Sequence, residues 1–551
     1  MIRQNQSSLF ILSGLLLSAF LLSACGTQTD VARERAETSS TGTATSSTSA
    51  TSQAAYAYAP ALNVMPGRER YAEFEPADFQ SVRRQPVSTF SVDVDTAAYS
   101  HVRRFLRSGQ MPPPEAVRIE ELVNYFDYDL PAPSDRSQPF SIQTTLTPSP
   151  WAEDLHLLHV SLQGYSIPRR NRPPANLTLL VDVSGSMQGQ NRLTLVQDSL
   201  EMLLNELSPD DKVALVTYAG STRVALDYTP VTERNKPSIR GAIERLAAGG
   251  STAGASGLEL AYAVAQEGFD SEAVNRVILA TDGDFNVGTS SVSGIARLIE
   301  EKRRSGIYLS VLTVGDGNVR DDIAQALAQK GNGRAAHLDG LLEAQKVLES
   351  EFTGNLFPIA DDVKIQIEFN PLQVTEYRLI GYETRALKRR DFSNDRVDAG
   401  EVGSGHSVTA IYEVALTEGM AGRSPSLRYQ VAHSNAQDAV RDEVLDDETL
   451  EEFGFLRIRY KRPGESQSQL IQHPIGQEHA VASLREAPQE VRFAAAVAGF
   501  GLLLRDEGQV PGFDYEDVID LAQSARGEDT YGLRGEFTQI VRLADSLSRR
   551  H

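Results

Sequence analysis

At 551 residues the chain is too long for one hydrophobic core, so several folded regions are expected. With 41% hydrophobic and 23% charged residues it has the composition of a globular protein, and its formal net charge of −21 argues against a nucleic-acid partner, whose phosphates it would repel. The same charge is compatible with binding a cation.

The first element is an apolar segment. Arg3 precedes Leu9-Phe10-Ile11-Leu12 and Leu15-Leu16-Leu17, and small residues lead to Cys25, the only cysteine. This pattern reads as a secretory signal over residues 1–25. An uncleaved anchor helix or a free thiol fits less well, because Ser13, Gly14 and Ser18 interrupt a short apolar region. The run Leu22-Ser23-Ala24-Cys25 resembles a bacterial lipobox. That resemblance implies lipidation of Cys25, a mature chain without thiols, and anchoring in the cell envelope. Gly26 does not match the aspartate that retains such proteins at the inner membrane, so the outer membrane is favoured, with its facing side undecided. Residues 26–68 are rich in Ser, Thr and Ala, lack apolar periodicity, and read as a flexible tether.

An ordered N-terminal α+β region is expected over residues 69–168. Ser88 to Asp95 alternates like a strand, a helix follows through Tyr99 and Leu106, and Pro112-Pro113-Pro114 introduces a helix carrying Ile119, Leu122, Val123 and Phe126 on one face. Leu155 to Val160 is a strand candidate. His156 and His159, three apart on it, face opposite ways and cannot chelate one ion. Asp93-Val94-Asp95-Thr96 invites comparison with a phosphatase nucleophile motif of the haloacid-dehalogenase type. Ala97 stands where the required threonine would be, so the pair reads as a strand end capping the helix at Tyr99.

Over residues 172–352 strands and helices alternate, which predicts a doubly wound, mostly parallel sheet. The strongest signal is Leu179-Leu180-Val181-Asp182-Val183-Ser184-Gly185-Ser186, an apolar strand that stops at an acid and two alternate serines. Ligands in such folds sit at the carboxyl ends of strands. One carboxylate and two hydroxyls there offer hard oxygens with little charge, which suits Mg²⁺. Further on, Gly249-Gly250-Ser251-Thr252 precedes a helix, and Arg276 to Asp282 is a second apolar strand ending on an acid.

The Asp-x-Ser-x-Ser run resembles the signature of von Willebrand factor A domains, and the whole of 172–352 fits that domain in the count and order of its elements. The resemblance implies a metal-ion-dependent adhesion site in which Asp182, Ser184, Ser186, Thr252 and Asp282 hold Mg²⁺ or Mn²⁺. It further implies a protein partner presenting an Asp or Glu carboxylate to the ion, with no catalysis. Taken singly these residues are ordinary loop and cap residues, but capping does not require all five. Asp282-Gly283-Asp284-Phe285-Asn286 also resembles the start of an EF-hand loop, which fails at Val287 and Ser293. A metal-dependent hydrolase is the alternative, with Asp284 as the one nearby base. A third reading makes the flanking regions a scaffold.

Beyond residue 352 the period changes to two in Val363 to Phe369, Val408 to Val414 and Leu456 to Tyr460, predicting a small antiparallel β module over 353–479. Residues 480–551 read as helical, and apolar Phe493 to Leu504 is too short to span a bilayer, hence a core helix. Ser88 to Ala97, Glu120-Glu121-Leu122-Val123-Asn124-Tyr125-Phe126 and Gly532-Leu533-Arg534-Gly535-Glu536-Phe537 resemble the terminal segments of YfbK-like bacterial lipoproteins, with 353–545 as their C-terminal domain. For the anchor, Cys25→Ser is expected to abolish acylation. Metabolic labelling with a fatty acid checks it, and unchanged incorporation would remove the lipobox reading.

Overall fold

The computed structural model describes residues 69–550 apart from 135–136, 284–291, 352–353, 355, 396, 398, 418–446 and 506–507. The signal, the tether and Cys25 therefore lie outside the described residues. The N-terminal region contributes strands β1 (Gln80–Ser81) and β2 (Val87–Ser91), helices α1 (Ala97–Arg107) and α2 (Ile119–Val123), and strands β3 (Phe140–Pro148) and β4 (His156–Gly164). The strand expected through Asp95 ends at Ser91, and the two acids beyond it do not cap α1. Asp93 and Asp95 each accept from Arg385 at 3.0 Å, and Asp95 also takes the Ala335 N–H at 2.9 Å. The free N–H of Ala98 in the first turn of α1 is instead satisfied by Glu121 of α2, at 2.9 Å.

The central region runs β5 (Ala175–Asp182), α3 (Leu195–Glu206), β6 (Lys212–Tyr218), β7 (Thr222–Pro230), α4 (Lys236–Glu244), α5 (Gly254–Glu267), β8 (Val274–Thr281), α6 (Val292–Arg304), β9 (Ile307–Val314), α7 (Asp321–Lys330), β10 (Ala335–Leu338) and α8 (Leu341–Gln345). Its six strands lie in the order β10-β9-β8-β5-β6-β7, all parallel except edge strand β7. Every residue of β5 is buried, its polar Asn176, Thr178 and Asp182 included, as befits a central strand covered on both faces. Leu177, Leu179 and Val181 pack with α3, α4 and α8 on one side. Leu180, with Val216 and Leu279, packs with α5, α6 and α7 on the other. Because β6 and β8 lie on opposite sides of β5, the chain reverses its winding there, and a crevice opens at the carboxyl ends of β5 and β8.

The remaining strands are β11 (Pro358–Phe369), β12 (Val374–Ile380), β13 (Val402–Gly403), β14 (Ser407–Leu416), β15 (Gly454–Lys461) and β16 (Ser468–Ile475), followed by α9 (Gln489–Arg505), α10 (Tyr515–Ser524) and α11 (Leu533–Ser548). The ranges 69–168 and 353–479 do not build separate sheets. One antiparallel sheet runs β1-β12-β14-β4-β3, and in the other β2 pairs with β11, which also pairs with β13 and β15. Inward residues of both, such as Val160, Val408 and Tyr412 against Ile365, Leu456 and Ile458, share one core. Leu157 and Ile411, on the outer face of the first sheet, pack with α9, α10, α11, α1 and α2 in a second core. Phe493 to Leu504 is buried within α9 as expected. Among the described residues no helix is long and apolar enough to cross a membrane.

Buried ions join these layers. Arg103 of α1, 2% exposed, donates to Asp339 at 2.8 and 2.5 Å, Glu343 of α8 at 2.6 Å, Glu536 of α11 at 2.9 Å and the Tyr125 hydroxyl at 3.0 Å. Burial would raise the Glu343 carboxyl, but Arg103 and Lys346 hold it below its ordinary range. A second set links Arg118 to Glu121 at 2.5 Å and to Asp321 of α7 at 2.9 Å, with His101 3.2 Å from Asp321. Removing one partner of a buried ion pair leaves the other uncompensated, so Arg103→Met is expected to cost about 3–5 kcal/mol at pH 7. A carboxyl held low stabilises the fold above its unfolded pKa and loses that contribution as pH falls. The gap between wild type and variant should therefore narrow on acidification, which denaturant unfolding across pH would measure.

Candidate metal centre

The crevice end of β5 closes on the sheet's last acid. Asp182, the final residue of β5, is fully buried. Its Oδ1 accepts the Ser184 N–H at 2.8 Å, and its Oδ2 accepts the Thr281 hydroxyl of β8 at 3.2 Å. The Asx-type bond to Ser184 turns the chain immediately after the strand and brings two hydroxyls to one side. The Oγ atoms of Ser184 and Ser186 lie 3.0 Å apart. Asp282, directly after Thr281 on the neighbouring strand, is also buried.

Thr252 arrives on the loop between α4 and α5. The loop is stitched to the first one, the Gly249 N–H bonding to the Val183 carbonyl at 2.8 Å and the Gly185 N–H to the Gly250 carbonyl at 2.9 Å. Thr252 itself is half-buried beside this seam. The close approach depends on Gly257 in the first turns of α5, where a Cβ would sit 2.7 Å from the Tyr218 Cβ. Gly283, at φ +93°, turns the chain after Asp282 where a Cβ would meet the Arg320 backbone nitrogen at 2.8 Å. Four of the expected residues thus lie on the ends of adjacent strands β5 and β8 and the loops after them, and Thr252 lies on the loop bonded to them.

Burial, the largest influence, pushes the Asp182 carboxyl above its usual range. The like charge of Asp282 adds to this, while hydrogen bonds from Ser184 and Tyr218 pull the other way. A positive charge stands close by. Arg192 leaves helical geometry just before α3, at φ −130° and ψ −106°, and its Nη1 reaches to 3.5 Å from Asp282 Oδ2. The same guanidinium donates to the Ser186 carbonyl at 2.5 Å and the Asp316 carbonyl at 2.9 Å. Two buried carboxylates and two hydroxyls make a donor set that fits a small hard divalent cation, while the Arg192 guanidinium partly neutralises Asp282 and is no ligand itself. Mg²⁺ takes one or two carboxylates and keeps several waters. Among the described residues no group of three or more His, Cys, Asp and Glu side chains forms an alternative metal cage. Asp284, the base of the hydrolase alternative, lies outside the described residues.

Arg192, Thr281 and Tyr218 went unanticipated in the sequence. Thr281 carries a readable signal, a polar residue beside the terminal acid of an apolar strand. Arg192 carries none, because only the fold brings it to Asp282.

The comparisons agree with this architecture. The family model for the von Willebrand factor type A domain matches residues 176–347, one described as von Willebrand factor matches 65–159, and one described as the C-terminal part of the uncharacterized protein YfbK matches 354–547. The chain is a von Willebrand factor type A domain protein. It is 41% identical over 489 residues to the uncharacterized protein YfbK of Escherichia coli, a span covering 88% of this chain and 82% of that one. It therefore belongs to the YfbK family. Inter-alpha-trypsin inhibitor heavy chain H2 of Sus scrofa is 24% identical over 232 residues, 41% of this chain and 24% of its own. Among solved structures, a von Willebrand factor type A protein from Catenulispora acidiphila is 15% identical with a TM-score of 0.40, covering 74% of this chain and 91% of that one.

The like charges of Asp182 and Asp282 generate an expectation for the metal-free protein. Asp182→Asn keeps the shape and removes one buried charge, so in chelator its Tm should exceed the wild type's by a few degrees. An acid whose folded pKa is raised gains stability as pH falls through that pKa, so the advantage of the variant should shrink on acidification. Thermal unfolding across pH checks both the sign and the convergence.

Proposed function

We propose that this protein is an envelope-anchored lipoprotein whose von Willebrand A domain binds a protein partner through Mg²⁺, or Mn²⁺, at Asp182, Ser184, Ser186, Thr252 and Asp282. The observation that carries the reading is the convergence of Asp182, Ser184, Ser186 and Asp282 at the crevice where the parallel sheet reverses its winding. Von Willebrand A domains mediate protein interaction in related proteins, which favours binding over catalysis. A bound Mg²⁺ supplies an open coordination position for a hard oxygen. This chain's residues hold the anionic and neutral ligands in place: the Ser184 N–H and Thr281 hydroxyl fix both oxygens of Asp182, and the 249–250 seam fixes the Thr252 loop. With three of five ligands uncharged, the site favours an incoming Asp or Glu carboxylate of the partner over a neutral amide. Anchoring at Cys25 and placement at the outer membrane rest on the lipobox pattern and Gly26.

Losing even an outer partner of a ligand costs metal sites about 10–100-fold in affinity, so Asp182→Ala should weaken Mg²⁺ binding at least that much. Calorimetric titration of both proteins measures it, and equal affinities would overturn the ligand assignment. Partner capture should fail in chelator, return with Mg²⁺, return poorly with Ca²⁺, and weaken with Thr252→Ala. Capture indifferent to chelator would move the interaction to the flanking regions.

A further inference from the structure

Away from the crevice, a cavity of about 100 Å³ opens where β8, the turn before β10, the residues after β2 and the C-terminal strands meet. By volume this is space for about three waters. Arg276 of β8 lines it, and its burial is unusual: 3% exposed, with no carboxylate in ion-pairing distance among the described residues. Its Nη1 donates to Ser310 Oγ at 2.8 Å, its plane lies 5.4 Å from the Tyr308 ring, and its buried Nε has no hydrogen-bond partner. Arg334 lines the same cavity and is likewise without an ion pair among the described residues. Its Nη2 lies 3.3 Å from His406 Nδ1, while its buried Nη1 has no hydrogen-bond partner. Burial and the nearby charges of Arg334 and Lys346 keep His406 neutral, so it accepts from Arg334 and adds no charge.

The other charged groups around the cavity are engaged. Arg385 is held by Asp93 and Asp95, and Glu401 accepts from Asn332 at 2.7 Å while its field reaches Arg276. A guanidinium cannot escape burial by losing its proton, as a lysine can. Two such cations facing one small polar cavity therefore leave buried donors unpaired, with no carboxylate among the described residues in contact with either guanidinium, which is costly without an anion.

We propose that this cavity binds a small oxyanion, of the phosphate, sulfate or carboxylate class, through Arg276 and Arg334. The site is independent of the metal crevice. It draws on the central sheet, the N-terminal region and the C-terminal strands together, so its occupant would brace their junction.

The test uses the full chain in chelator, to keep divalent cations out. Inorganic phosphate, sulfate and acetate are titrated by calorimetry and thermal unfolding at constant ionic strength, with chloride as the control. The expected result is one saturable site, with Tm rising as its occupancy does. Loss of a hydrogen bond to a charged group predicts affinity weakened about tenfold or more in Arg276→Gln and in Arg334→Gln. Arg334 is half-buried, so its variant remains informative if the Arg276 variant folds poorly. A preference for phosphate and sulfate marks a tetrahedral occupant, and a preference for acetate marks a carboxylate. No saturable binding, an equal response to chloride, or unchanged affinity in Arg334→Gln would overturn the proposal.

Discussion

The fold depends on the buried guanidinium of Arg103. It reaches from the N-terminal helix α1 to α8 of the von Willebrand A domain and to the C-terminal helix α11, and its donors engage two buried carboxylates, a third partly buried one and a tyrosine. An apolar side chain there would pack without direction. A guanidinium donates to carboxylates in its own plane, so the three regions are fixed in orientation as well as in proximity. The Arg118, Glu121, Asp321 and His101 set does the same a short way along α1 and α2, and Gln325 of α7 donates to Glu121 at 2.8 Å. These polar seams set the orientation of a domain with a core of its own against its neighbours.

The parallel sheet was legible in the sequence because strands buried on both faces are largely apolar, and Leu179 to Val181 and Val277 to Ala280 are short continuous apolar runs. The acids and serines after them were legible as a candidate site because all five residues fall in the order the von Willebrand A signature asks for, which capping alone does not require. The antiparallel part was less readable. Strands β3, β12 and β16 were not anticipated; in β12, Val374-Thr375-Glu376-Tyr377-Arg378 puts buried charge on the outer face, opposite Tyr377 in the sandwich core. Arg378 and Glu376 are buried there, with Arg378 paired to Glu413, and that pairing exists only once β12 lies beside β14. Asp93 and Asp95 were misread as caps for the same reason. Their partner, Arg385, lies far along the chain, and local rules assign an acid before a helix to the nearest free N–H.

Arg192 illustrates a wider point about the crevice. Its position beside Asp282 goes with two non-helical residues, Asn191 and Arg192 itself, just before α3, so a change in that backbone turn would alter the charge next to the carboxylates without touching any of them. Electrostatics at the site are thereby coupled to the conformation of a surface segment.

The pairing of β2 with β11, and of β4 with β14, makes the von Willebrand A domain an insertion, in chain order, within one sandwich. Its two crossings run side by side: a Cβ on Gly164, at the end of β4, would lie 2.7 Å from Ile359 near the start of β11. The domain is therefore suspended from a doubled strap and not threaded as a bead. A pull on the domain divides between two chain segments, one leaving β4 and one entering β11, so its tension is shared by two strands of the sandwich.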